Sequence, residues 1–338
     1  MSDPSDSSLH ALKYPDYLPL LLSVNHYLAT GFGVVLNVVI VVGLLLERSK
    51  VLGTYRWFLM AHSVNDLITA SIGGLLGLII DYSHDTLILI INGPVKYLGF
   101  IPVMAFFTIF VVGYLLNIGL LALTFVFRYV QICKKQYLVY LSKKRYKLLV
   151  LAILVLPIIS IDVLVPYAYS YSKDLMSETG GVKKKLVVLF TDGKNRTYFY
   201  VLCGLFLSLV STGYSLVFFC CKAIFSYLKQ AKNALTSKTR KTQKLLTIVL
   251  LLQSLTPALT STFQCSGLLI GVLLKLDVRY VAWILTGCFV WLPTLNAVIS
   301  LVFVAPLRSM FTRKKVISGA KIQVSRQVTG SGFQDGNS

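Results

Sequence analysis

Charge is scarce in this chain: Asp, Glu, Lys and Arg make up 14% of its 338 residues, where a soluble domain ordinarily carries about a quarter. Acids are the scarcer sign, thirteen against thirty-three bases. A soluble globular domain is thereby excluded. The four histidines, His10, His26, His62 and His84, stand at no metal-ligand spacing, so no metal centre is expected. The two acids inside apolar stretches, Asp66 and Asp162, lack the Gly-x-Gly-Asp context of an intramembrane aspartyl protease. No lysine falls between residues 280 and 306, which removes a retinal Schiff base from the last apolar stretch. None of the six cysteines lies between the apolar stretches on the side read below as extracellular, which excludes a disulfide framework there. Residues 1–19 hold Asp3, Asp6 and Asp16 against Lys13 and no basic region, so they do not read as a cleavable signal. Catalysis is not expected, and no cofactor beyond an ion or water near Asp66.

What is present is apolar sequence, 56% of the whole. Charges cluster and leave seven candidate membrane spans, near residues 18–46, 57–80, 97–127, 148–171, 198–221, 245–274 and 280–306. The expected fold is all-α: a seven-transmembrane helix bundle over 18–306, preceded by a short extracellular amino terminus (1–17) and followed by a basic cytoplasmic tail (307–338). Everything is organised around the third span. It runs thirty-one residues without a charge before Arg128-Tyr129, roughly 45 Å of helix against a ~30 Å hydrocarbon core. Seven dissimilar spans also lack the paired halves of many transporters.

Twenty-three of the thirty-three basic residues fall in loops 47–56, 128–147 and 222–244 and in the tail. The positive-inside rule therefore puts the amino terminus outside and the carboxy terminus in the cytoplasm. Lys183, Lys184 and Lys185 dissent, balanced in part by Asp174, Glu178 and Asp192. The net charge of +20 reads as membrane topology plus attraction to an anionic inner leaflet, and not as nucleic-acid binding. Cys133, Cys220 and Cys221 lie at cytoplasmic span ends, as small apolar packing or as palmitate acceptors.

Four polar residues share one depth. Asn37 precedes the inner border by ten residues, Asp66 follows it by ten, and Asn117 and Asn296 precede Arg128 and Arg308 by eleven and twelve. At about 1.5 Å per residue all lie roughly 15 Å in. A carboxylate there must face the bundle interior. The set is either hydrogen-bonding glue between helices or a hydrated or ion-occupied switch layer. Pro257 should kink the sixth span, and Pro293 the seventh. Asp162, bracketed by Pro157 and Pro166, is a candidate ligand contact in the outer half of the fourth span. The run 186–191 followed by Asp192-Gly193 and 194–200 predicts a hairpin over the bundle mouth. Asn195-Arg196-Thr197 is a glycosylation acceptor on the extracellular side. Arg128, at the inner border, is placed to snorkel to water.

These residues carry a resemblance. Asn37, Asp66, Phe127-Arg128-Tyr129, the Pro257 kink and Pro293/Asn296 resemble a seven-helix G-protein-coupled receptor. Leu36-Asn37, Leu52-Gly53-Thr54-Tyr55-Arg56, Gln243-Lys244-Leu245, Gln253-Ser254 and Phe303-Val304-Ala305-Pro306-Leu307-Arg308 narrow it to the nematode chemoreceptors of the Str superfamily. The resemblance implies a plasma-membrane chemosensory receptor, of a sensory cilium for instance. It implies a small-molecule or peptide ligand in the bundle and a heterotrimeric G protein contacted by Arg128, Tyr129, Lys241 and Lys244. Phe127 stands where rhodopsin-like receptors have an acid, Ala297 where they have Pro, and Leu307 where the superfamily commonly has Tyr. No carboxylate lock on Arg128 can then form, and basal activity is expected. The alternative is a polytopic transporter or ligand-gated channel.

Overall fold

The computed structural model of the chain describes residues 12–13, 17–46, 55–83, 86–137, 143–179, 182–191, 194–230, 247–248, 250–252, 254–304 and 307. Long helices dominate it: α1 (Leu18–Leu46), α2 (Tyr55–Leu76), α3 (Phe100–Cys133), α4 (Lys144–Ala168) and α5 (Arg196–Gln230). α3 extends past the expected end at 127 and reaches 34 residues, roughly 51 Å of rise. The sixth span contributes a π-helical turn, Ala258–Thr262, and then α6 (Phe263–Leu273). The seventh divides into α7 (Arg279–Phe289) and α8 (Leu292–Phe303), bent by 41° just before Pro293. Among the described residues four helices are long and apolar enough to cross a membrane, five if the bent pair counts as one. α2 falls short because its inner half carries Arg56, His62, Asn65 and Asp66.

The expectation of an all-α chain needs one correction, because a five-stranded sheet sits at the end of the bundle where α2 and α4 finish and α3 and α5 begin. Its strands are β1 (Leu12–Lys13), β2 (Leu78–Ser83), β3 (Thr86–Ile91), β4 (Ser170–Thr179) and β5 (Val182–Phe190), in the order β1-β4-β5-β3-β2. α2 ends at Leu76 and not at 80, because Gly77 takes a left-handed φ of 55° and turns the chain. The apolar run that hydropathy assigned to the second span continues as strand. β5 pairs antiparallel with β4, on its amino-terminal side, and with β3. The hairpin expected across Asp192-Gly193 is therefore not formed: residues 186–190 are strand, but Arg196 already begins α5.

Strand alternation gives the sheet two buried faces. Leu78, Ile80, Leu87, Leu89 and Ile91 join the main core with Phe107, Ile161, Phe199 and Phe289, while Ile79, Ile88, Ile90 and Val188 pack against Leu22 of α1. The free edge of β2 is covered by α7. Thr286 Oγ1 accepts from Ile80 N–H at 2.9 Å, and Arg279 Nε donates to Tyr82 O at 3.1 Å. A second cluster in the inner half, around Ile40, Leu44, Leu121, Phe125 and Val217, also takes in Cys220 and Cys221, as the packing reading of those cysteines requires.

Candidate functional site

At mid-depth, Asp66 of α2 is 2% exposed. It accepts from Asn117 Nδ2 of α3 at 2.6 Å and from Asn296 Nδ2 of α8 at 3.1 Å, one bond to each carboxylate oxygen. Asn37 lines the same small cavity without pairing with Asp66; its amide donates to Gly33 O at 2.8 Å and to Pro293 O at 3.1 Å. Of the four residues expected to form one layer, Asn37 therefore shares the depth and the cavity but not the hydrogen bonds to Asp66. Pro293 has no N–H, but its carbonyl ties α1 to α8. The cavity measures about 20 Å³, room for one water. His62, Ser63 and Ser300 complete its lining, and Asn37 Oδ1 and Asn296 Oδ1 have no hydrogen-bond partner among the described residues. Two acceptors without donors beside a carboxylate fit a water or a cation. No group of three or more His, Cys, Asp or Glu suited to a metal occurs among the described residues.

Above this layer and directly beneath the sheet lies an apolar cavity of about 150 Å³. Leu78, Ile80, Leu87 and Leu89 of the sheet form its roof, and Phe107, Phe110, Ile161, Phe206, Leu269 and Phe289 form its walls. Its floor carries polar atoms. Tyr114 Oη of α3 lies 3.2 Å from Ser261 Oγ and 3.3 Å from Thr262 Oγ1, and Tyr214 Oη of α5 lies 3.2 Å from Thr262 Oγ1. Tyr114 also stacks on Phe206, ring centres 6.1 Å apart. Ser261 and Thr262 belong to the π-helical turn that begins one residue after Pro257. Proline removes a backbone donor, and the widened turn accommodates the break. The cavity floor thus rests on the irregular turn of the sixth span.

Arg128 is 4% exposed, not snorkelled. Its Nη1 lies 3.5 Å from Gln131 Oε1, one turn further on. The burial follows from its neighbours: α3 continues another turn beyond it, Phe127 packs on Phe58 at 4.9 Å, and Tyr129 lies against the inner clusters. Lys241 and Lys244 lie outside the described residues, as do residues 192–193 and the tail beyond Leu307. Asp162 is not among the residues lining the apolar cavity, and its Oδ1 has no hydrogen-bond partner among the described residues. Asn195 is half-buried, and its Nδ2, the atom a glycan would occupy, donates to Ser170 Oγ at 2.8 Å.

Sequence reasoning missed the Tyr114–Ser261–Thr262–Tyr214 group. A signal existed: residues 260–262 are three consecutive hydroxyls in an apolar span, three positions past its proline, and Tyr114 sits one turn before Asn117. It also missed the buried Asp81 of β2, which accepts from Trp283 Nε1 at 3.2 Å and pairs with Arg279 Nε at 3.6 Å. Asp81 reads in sequence as one more extracellular acid.

A family profile described as the serpentine-type seven-transmembrane G-protein-coupled chemoreceptor Str matches residues 22–312. No curated protein matches the sequence. Among solved structures, squid rhodopsin is similar with a TM-score of 0.61 at 13% identity, over 90% of this chain and 87% of that one. At that identity the likeness is one of fold.

Proposed function

Because the chain belongs to the Str family of serpentine seven-transmembrane chemoreceptors, we propose that it binds a small, uncharged, apolar cue in the cavity beneath the sheet and activates a heterotrimeric G protein at its cytoplasmic end. The observation that carries this reading is the cavity itself. An apolar space of about 150 Å³ lined mainly by Leu, Ile and Phe, with Tyr114 and Ser261 at its floor, has the size that takes a benzene-sized guest. No charged side chain lines it, so a charged peptide terminus would go unpaired there. Filling it changes the contacts of Tyr114 and Ser261, and through them the π-helical turn. A shift at that turn swings the inner segment of the sixth span.

At the inner end the swing of the sixth span frees Arg128, buried at rest, to meet the G protein with Tyr129, Lys241 and Lys244, and the Asp66–Asn117–Asn296 layer biases the two states between the sites. The receptor works in the plasma membrane, with a sensory cilium as its place in a chemosensory cell. The test is guanine-nucleotide exchange in cells expressing the chain with a promiscuous G protein, challenged with benzene-sized apolar cues, charged soluble cues and peptides. Apolar cues should drive exchange, and Leu269→Trp, which fills the cavity, should abolish it at matched surface expression. Responses confined to peptides, or ion flux without exchange, would refute the proposal.

A further inference from the structure

A second, larger space of about 580 Å³ opens between α3, α4 and α5. Its floor is buried and apolar, formed by Leu115, Ile118, Ile158 and Ile161. Its rim is exposed where the bilayer lies, and small side chains keep it open: Ser160 on α4, Ser208 and Thr212 on α5. The hydroxyls of Ser160 and Ser208 bond to their own helices, to Leu156 O and Leu205 O, so both present little polarity to the groove. Ile161 lines this groove and the inner cavity alike, so one buried side chain borders both spaces. On the opposite side the described strands lie across the inner cavity. The sheet roofs the inner cavity with two buried faces, and Thr286 and Arg279 bind its free edge to α7.

We propose that the groove between α3, α4 and α5 is the passage by which an apolar ligand reaches the inner cavity from the hydrocarbon of the membrane, with Ile161 as its gate. The inference rests on the reading of the inner cavity as the ligand site. Apolar solutes concentrate in the hydrocarbon, so the groove meets the ligand where it is most abundant. Ile161 pivots between the two spaces and needs no movement of the sheet.

An obstruction in a passage slows binding and release alike and leaves the equilibrium where it was, which a structural defect would not do. The probe is fluorobenzene, followed by ¹⁹F NMR exchange with the full chain in phosphatidylcholine nanodiscs. Ser208→Trp/Thr212→Trp should slow exchange about tenfold or more, a barrier raised by about 1.4 kcal/mol, with the bound fraction within about twofold of the parent. Ser160→Trp, from the other wall, should act the same way. Ser211→Trp and Ser215→Trp, exposed on α5 but outside the groove, should leave the rate unchanged. Parental exchange rates in both groove-blocked variants would overturn the passage, as would faster exchange on loosening the roof with Arg279→Ala. If no bound resonance exists that Leu269→Trp removes, the inner-cavity reading falls first and the passage with it.

Discussion

Asp66 offers the sharpest separation between a structural and a signalling role. Replacing it with Ala removes both acceptors and leaves the Asn117 and Asn296 amides buried without their partner. At about 1–3 kcal/mol for each stranded donor, the loss is about 2–6 kcal/mol. Replacing it with Asn keeps the shape and one acceptor for Asn117. The new amide NH₂ then faces Asn296, whose Oδ1 has no hydrogen-bond partner among the described residues. A flip of that side-chain amide turns a donor–donor clash into a hydrogen bond. Asp66→Asn should therefore unfold in detergent close to the parent temperature, with Asp66→Ala several degrees lower. Removing the charge should nevertheless shift basal or agonist-dependent nucleotide exchange about fivefold or more, the effect of ~1 kcal/mol of bias between two states. Thermal unfolding and exchange are measured on the same preparations. Equal destabilisation by Asn and Ala would refute the amide-flip reasoning, and an Asp66→Asn variant with parental exchange would reduce the layer to glue between helices.

Arg128→Ala should abolish agonist-dependent exchange at matched surface expression, and Arg128→Lys should recover only a small part, since an ammonium lacks the planar five-donor fork; normal coupling in both would remove Arg128 from the mechanism. Arg279→Ala leaves Asp81 buried with only part of its partnership. It should cost about 1–2 kcal/mol, below the 3–5 typical of a fully buried pair because the arginine side chain is 33% exposed; adding Asp81→Asn should restore part of the unfolding temperature. Asn195→Gln and Thr197→Ala should each abolish a glycosidase-sensitive mobility shift, and a carboxy-terminal tag should label only after permeabilisation; a tag labelled on intact cells would invert the topology.

Membrane class and the depth of the polar layer were legible because each is a one-dimensional property: charges mark borders, and about 1.5 Å per residue converts position into depth. Asp66, Asn117 and Asn296 come together for that reason. Azimuth is a different matter, and depth alone could not tell that Asn37 points toward the Pro293 carbonyl. The sheet was hidden because residues 78–80 and 86–91 are buried on both faces, and a strand of that kind is a continuous apolar run, indistinguishable by hydropathy from the end of a helix. Only Gly77 and Gly93, which bring two turns of backbone together, mark the change. Arg128 is buried and not snorkelled because α3 extends past it among neighbours, which the sequence of one helix in isolation does not reveal.

A roof of strands differs from a roof of loops in how it tolerates change. The β2–β3 ladder is held by backbone bonds that any residue but proline permits, and pleating sends alternate positions to opposite faces. The face carrying Leu78, Ile80, Leu87 and Leu89 can thus be recut by volume-conserving apolar exchanges while Ile79, Ile88 and Ile90 keep the other face anchored on α1. Four positions on one hairpin then shape the cavity roof while also belonging to the main core, so the space can be recut only within what that packing allows. On the proposed reading of the cavity as the ligand site, substitutions there would change which guests fit while the backbone pairing stays.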